Sequence, residues 1–134
     1  MNQNELFHIA ENWFQEQEWK PFPFQKESWN AFLDGKHGLL NAPTGSGKTY
    51  ALWFPIVLNY IKNNPGYKTK HKKGIKAIWI TPLRALSQEI KQSAERITQD
   101  LETQMTVGIR TGDTSTKERA KMRTNMPDLL ITTP

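Results

Sequence analysis

Six consecutive residues, Thr44, Gly45, Ser46, Gly47, Lys48 and Thr49, have the types and spacing needed to hold a chain of phosphates; they close the run APTGSGKT at 42–49. Glycines at 45 and 47 let the backbone curl until successive N–H groups point at phosphate oxygens. The first turn of a following helix adds unpaired donors and the positive end of its dipole. Lys48 can reach the β/γ-phosphates as a point charge, and the Thr49 hydroxyl can ligate Mg²⁺. ATP with Mg²⁺ is the ligand such a cradle takes. Ala42 replaces the first glycine of the generic pattern, at little cost because that residue ends a strand. The competing reading is a glycine turn beside a solvated lysine, and the strand–turn–helix context weighs against it.

The elements that must position this loop follow from periodicity. Leu6, Ile9, Ala10, Trp13 and Phe14 predict an amphipathic helix over 4–17, broken by the proline-rich run at 20–23. Gln25, Ser28, Trp29 and Phe32 share a face of a second helix that stops at Asp34 and Gly35. The apolar run at 38–42 reads as a buried strand, and 48–61 as a buried helix that Pro55 should kink. Strands are predicted at 76–80, 105–109 and 128–131. Between them lie a helix carrying Leu83, Leu86, Ile90, Ala94, Ile97 and Leu101, and another opened by Ser115 and Glu118 as a capping box. Thr81 reads as the N-cap of the first of these helices, with Pro82 at its first position. Strands alternating with helices imply an α/β fold, a parallel sheet with helices on both faces. Residues 1–34 would be an N-terminal helical segment and 35–134 the sheet-containing domain.

In such a sheet, ligands bind beyond the carboxyl ends of the strands. Four loops leave those ends: 43–48, 81–85, 110–114 and 132–134. Their Thr, Gly and Arg residues suit phosphates, and a single phosphate site accounts for the first loop alone. An extended polyanion across the same edge would account for the others. Each has a plainer alternative: Thr81 and Pro82 as a helix cap, Asp113 to Ser115 as capping groups, Arg84 and Arg110 as solvated charges. The lysine-rich stretch 62–75 (Lys62, Lys68, Lys70, Lys72, Lys73) enters a strand from the opposite end and reads as a solvated connection. Gln25 offers a donor and an acceptor that match an adenine edge, although a helical Gln is more often solvated.

Bulk properties set outer limits. The chain of 134 residues suits one domain with a core, and 18 basic against 13 acidic residues give a net charge of +5, a mild bias toward a polyanionic partner. Mean hydropathy is −0.68. With no cysteine, disulfides, thiolate chemistry and Cys-based metal sites are excluded, and the three His are too scattered to ligate together. No apolar run approaches the roughly 18 residues of a membrane helix. No signal-peptide pattern opens the chain, so a cytoplasmic protein is expected.

PFPFQ (21–25), APTGSGKT (42–49), TPLRALSQEI (81–90), RTGDTS (110–115) and DLLITTP (128–134) stand in an order and spacing that resemble the superfamily 2 DEXH-box helicases. Within them the resemblance points to the Lhr-like (large helicase-related) group and the bacterial ligase-associated DEXH-box helicases. It spans about residues 13 to 134 and implies the first part of a RecA-like P-loop NTPase domain. Under it, Gln25 reads adenine, with Phe22 or Trp19 near the base, and Thr44 to Thr49 form motif I. Pro82, Leu83 and Arg84 fall in motif Ia, and Thr132 and Thr133 in motif Ib, both gripping the backbone of one nucleic-acid strand. Arg110, Thr111 and Gly112, in a run typical of the Lhr-like proteins, lie near that strand, and Arg119 fits the same pattern. The resemblance further implies a parent ATP-dependent DNA helicase or translocase, with a DNA-repair nuclease and ligase as partners. The chain ends before the DEXH box and the second RecA-like domain, so these residues alone are expected not to hydrolyse ATP at a useful rate. Another P-loop enzyme such as a kinase, or a non-catalytic nucleic-acid-binding module, are the alternatives.

Overall fold

The computed structural model of the chain describes residues 1–42 and 47–134. They form α1 (Gln3–Glu16), α2 (Pro23–Leu33), α3 (Lys48–Asn63), β1 (Ala77–Ile80), α4 (Arg84–Asp100), β2 (Val107–Arg110), α5 (Thr116–Thr124) and β3 (Leu129–Thr132). Two compact units result, Met1–Pro65 and Gly66–Pro134.

The first unit is helical. Asn2 caps α1 by accepting from the Glu5 N–H, and the helix buries Leu6, Ala10, Trp13 and Phe14 along one stripe. Pro23 opens α2, where its missing N–H costs nothing, and Gly35 in a left-handed conformation (φ 79°) follows the helix end. Almost every side of α3 is buried, including Trp53, Phe54, Val57, Leu58 and Ile61, and Pro55 lies inside the helix, as its sequence predicts. Phe54 brings α3 into an aromatic cluster. Its ring centroid lies 5.1 Å from that of Trp13, 5.4 Å from Phe14 and 5.5 Å from Trp29. Such pairs add about 0.5–1.5 kcal/mol each beyond the area they bury. The cluster therefore fixes α3, and with it the residues at its start.

One expected element is missing. Residues 38–42 carry no strand, and Leu39 is 95% exposed. The reason is physical: a strand needs a neighbour to pair its N–H and C=O groups, and among the described residues of this helical unit there is none. An apolar run states a preference, and only a partner turns it into a ladder.

The second unit holds the sheet. Its three strands are parallel in the order β1-β3-β2, with Ala77 and Val107 both aligned to Leu129, and Ile80 and Arg110 both aligned to Thr132. Leu129 and Ile131 on the central strand are fully buried. The helix α4 packs on β2 and β3 and buries Ile90, Ala94 and Ile97. On the other face of β2, Gly108 sits against Pro127 and Met122 of α5, where a Cβ would come within 2.8 Å of the proline ring. Ser115 caps α5 by accepting from the Glu118 N–H, as expected.

The start of α4 differs from expectation. Thr81 is not its N-cap: the helix begins at Arg84, after Leu83, with no side-chain cap. Thr81 is buried and donates its N–H to the Thr132 carbonyl at 3.0 Å. Sheet pairing thus extends past β1 and holds Thr81 extended, which delays the helix.

Candidate functional site

In the helical unit the site is built on the N-terminus of α3. Of the expected phosphate-binding residues, Thr44, Gly45 and Ser46 lie outside the described residues. Gly47 is the N-cap, in the left-handed conformation (φ 86°, ψ 25°), and Lys48 and Thr49 are the first two helical residues. Their N–H groups have no intrahelical partner and the dipole is positive there, which fits phosphate and, at the Thr49 hydroxyl, a phosphate-bound Mg²⁺.

Gln25 is 2% exposed, so it is no solvated surface residue. Its Oε1 accepts from the Phe22 N–H at 2.8 Å, which caps α2, and its Nε2 donates to the Gly47 carbonyl at 3.0 Å. The contact is close: a Cβ at Gly47 would stand 2.5 Å from Nε2. Two further bonds tie α2 to the first turn of α3, Ser28 Oγ donating to the Ala51 carbonyl and Trp29 Nε1 to that of Tyr50. The amide of Gln25 thus pins the end of the glycine-rich loop.

Beside it opens a cavity of about 380 Å³ lined by Phe14, Trp19, Lys20, Phe22, Gln25, Gly47 and Tyr50. Trp19 and Phe22 are 44% and 52% exposed, and Trp19 and Tyr50 lie 5.7 Å apart. Apolar rings with a few polar groups are the usual lining of a site for a heterocycle. Tyr50 and Lys20 escaped the sequence reading, although each adjoins a motif, Tyr50 directly after Thr49 and Lys20 directly before Pro21.

In the sheet unit, three of the expected loops meet at the carboxyl ends of the strands. Arg84 Nη1 lies 3.0 Å from Asp113 Oδ1. The Thr132 hydroxyl donates to the Arg110 carbonyl at 2.8 Å. Arg119 Nη2 donates to the Thr111 carbonyl at 2.9 Å, bracing the loop after β2 from α5. Pro82, Leu83, Arg84, Arg110 and Gly112 are exposed, Thr132 and Thr133 half-buried, and Thr111 buried. Thr111 serves the loop itself: its N–H donates to Thr114 Oγ1 at 2.8 Å and its Oγ1 accepts from the Asp113 N–H at 3.2 Å.

The opposite ends of the strands hold a cluster that sequence reading missed. Asp128 is 2% exposed, with Lys76 Nζ 2.5 Å from Oδ1 and His71 Nε2 3.0 Å from Oδ2. The Thr106 N–H donates to the same Oδ2 at 2.8 Å. One carboxylate therefore joins the entries of all three strands. Of the lysine-rich stretch, residues 66–75 lead into this amino end of β1, away from Arg84 and Arg110. Lys68 there lies 3.1 Å from Glu102. The hydrogen bond that Lys68 donates to that carboxylate, helped by the charges of Tyr67 and Glu102, raises the pKa of Lys68.

A parallel sheet whose carboxyl-end loops gather Thr, Gly and Arg, together with a glycine-entered helix starting Lys-Thr, defines part of a RecA-like domain. Residues 22–134 match the DEAD/DEAH box helicase family, and the chain belongs to it. Its relatives include the ATP-dependent helicase Lhr-Core of Sulfolobus acidocaldarius, 41% identical over 130 residues, which cover 91% of this chain and 14% of that protein. The Lhr helicase/uracil glycosylase of Escherichia coli is 35% identical over 136 residues, covering 92% of this chain and 9% of that protein. Among solved structures, the Mycobacterium smegmatis helicase Lhr bound to ssDNA and AMP-PNP superposes with a TM-score of 0.72 at 32% identity, over 94% of this chain and 16% of that one. The chain thus spans a small part of the length of these relatives.

Proposed function

We propose that the chain is the nucleotide- and strand-binding part of an ATP-dependent DNA helicase or translocase. The observation that carries this is the start of α3, where Lys48 and Thr49 follow the left-handed Gly47 beside the aromatic cavity. In this reading the triphosphate lies on the α3 N-terminus and Lys48, Mg²⁺ joins it at Thr49, and the base enters the cavity against Trp19, Phe22 and Tyr50. Gln25 presents the unused part of its amide to adenine while holding Gly47. Arg84, Arg110 and Thr132, with the main chain around Pro82, Gly112 and Thr133, follow the phosphates of one strand. A DEXH box outside these residues activates the attacking water, as phosphoryl transfer requires. The likeness to the Mycobacterium smegmatis helicase Lhr, solved with ssDNA bound, supports DNA as the strand.

Added single strands should accelerate ATP turnover by the intact protein. A kinase would ignore them, and a non-catalytic binding module would have no turnover to accelerate. Replacing Arg84 by alanine should weaken strand binding equally for all base sequences. It should also flatten the dependence of log K on log salt by about 0.7, the share of one phosphate on a single strand. An unchanged slope would remove Arg84 from the backbone contacts.

A further inference from the structure

Two residues of the loop after β2 are built around one guanidinium. The Arg84 head group lies against Gly112: a Cβ there would be 2.4 Å from Nη2, 2.9 Å from Cζ and 3.4 Å from Nη1. Gly112 does not have the positive φ that calls for glycine, since among the described residues the positive-φ glycines are Gly35, Gly47 and Gly74. What a Cβ at 112 would meet is the end of the Arg84 side chain, which would have to move from its place. The next residue, Asp113, then meets Nη1 at 3.0 Å.

The platform under the guanidinium is itself held. Asp113 N–H bonds to Thr111 Oγ1, Thr111 N–H to Thr114 Oγ1, and the Thr111 carbonyl accepts from Arg119. The side chains of Arg84 and Asp113 remain 58% and 73% exposed. An ion pair that open adds little to stability, so a folding role does not explain it. A guanidinium carries five N–H donors in a fixed fork, and a single carboxylate oxygen on Nη1 leaves most of them to face solvent.

We infer that Gly112 and Asp113 are positioning residues that preset the guanidinium of Arg84 as a fork for a strand phosphate, so that they act on strand binding through Arg84. The inference rests on the reading of Arg84 as a backbone contact. Preorganising a long flexible side chain removes an ordering cost from binding. The carboxylate is therefore a help to phosphate binding here, despite bringing a like charge near the phosphates.

The test is a double-mutant cycle on the intact protein, with affinity for a mixed-sequence single strand measured across a salt series. Gly112→Ala and Asp113→Ala should each weaken binding by roughly tenfold, the size expected when one charge-assisted contact loses its alignment. In an Arg84→Ala background neither should weaken it further. Asp113→Ala alters only an exposed side chain, so it remains informative even if Gly112→Ala disturbs the loop. Losses that add to that of Arg84→Ala would overturn the inference. So would an Asp113→Ala protein that binds as well as the wild type or more tightly, because the carboxylate would then be a bystander or a competitor of the phosphate. If Arg84→Ala itself changes neither affinity nor salt slope, the reading of Arg84 as a backbone contact fails along with the inference, and that pattern is distinct from the other two.

Discussion

The Lys48→Ala protein is expected to turn over ATP roughly 10²–10³-fold more slowly than the wild type, the scale of losing one preorganised charge that faces a transferring phosphoryl group. Lys48 is the first residue of α3, and its neighbour Gly47 is held by Gln25. The ammonium therefore extends from a fixed point, and a neutral methyl leaves the phosphate charge to the backbone N–H groups and the helix dipole alone. Lys48 is half-buried and lies outside the aromatic cluster. The variant should therefore fold normally, and steady-state turnover compared at matched folded concentration isolates the effect. Unchanged ATP affinity and turnover would remove the phosphate role from Lys48.

The largest loss of stability is expected from Asp128→Ala, at about 3–5 kcal/mol, the usual result of stripping one partner from a buried ion pair. Lys76, with its side chain 17% exposed, would keep a charge with its nearest counterion gone. The Thr106 N–H would lose its acceptor, and the three strand entries would lose their shared anchor. Set against a total stability of about 5–15 kcal/mol for a typical domain, that is a large share, and enough to unfold a unit at the low end of that range. Denaturant unfolding of the variant checks this, and a midpoint close to the wild type would mean that the cluster is dispensable. Asp128→Asn keeps an acceptor for Thr106 while losing the charge, and should fall between the two.

Much of this arrangement was legible because it is local. The stripe of Ile90, Ala94 and Ile97 identifies α4 whatever it packs on, and Ser115 with Glu118 marks the start of α5. What failed depended on distant partners. The run at 38–42 has the composition of a strand and none of the company, so its leucine at 39 is exposed. Thr81 has the chemistry of an N-cap, yet its N–H is claimed by Thr132 across the sheet. Asp128 reads as the first residue of a strand, and its importance appears only when Lys76, His71 and Thr106 converge on it. Gln25 lay between these cases. Its place on the helix after the proline-rich run at 20–23 was visible, as was an amide that suits an adenine edge. Its double hold on Phe22 and Gly47 needed the structure.

The role of the glycine-rich loop is tested most directly by titrating the intact protein with adenosine, AMP, ADP and ATP in the presence of Mg²⁺. If the triphosphate is gripped at the start of α3, affinity should climb with each added phosphate, by roughly tenfold or more between AMP and ATP for a charge-assisted contact. Lys48→Ala should erase most of that climb. Adenosine or AMP binding as tightly as ATP would place recognition in the aromatic cavity alone, and would contradict the account.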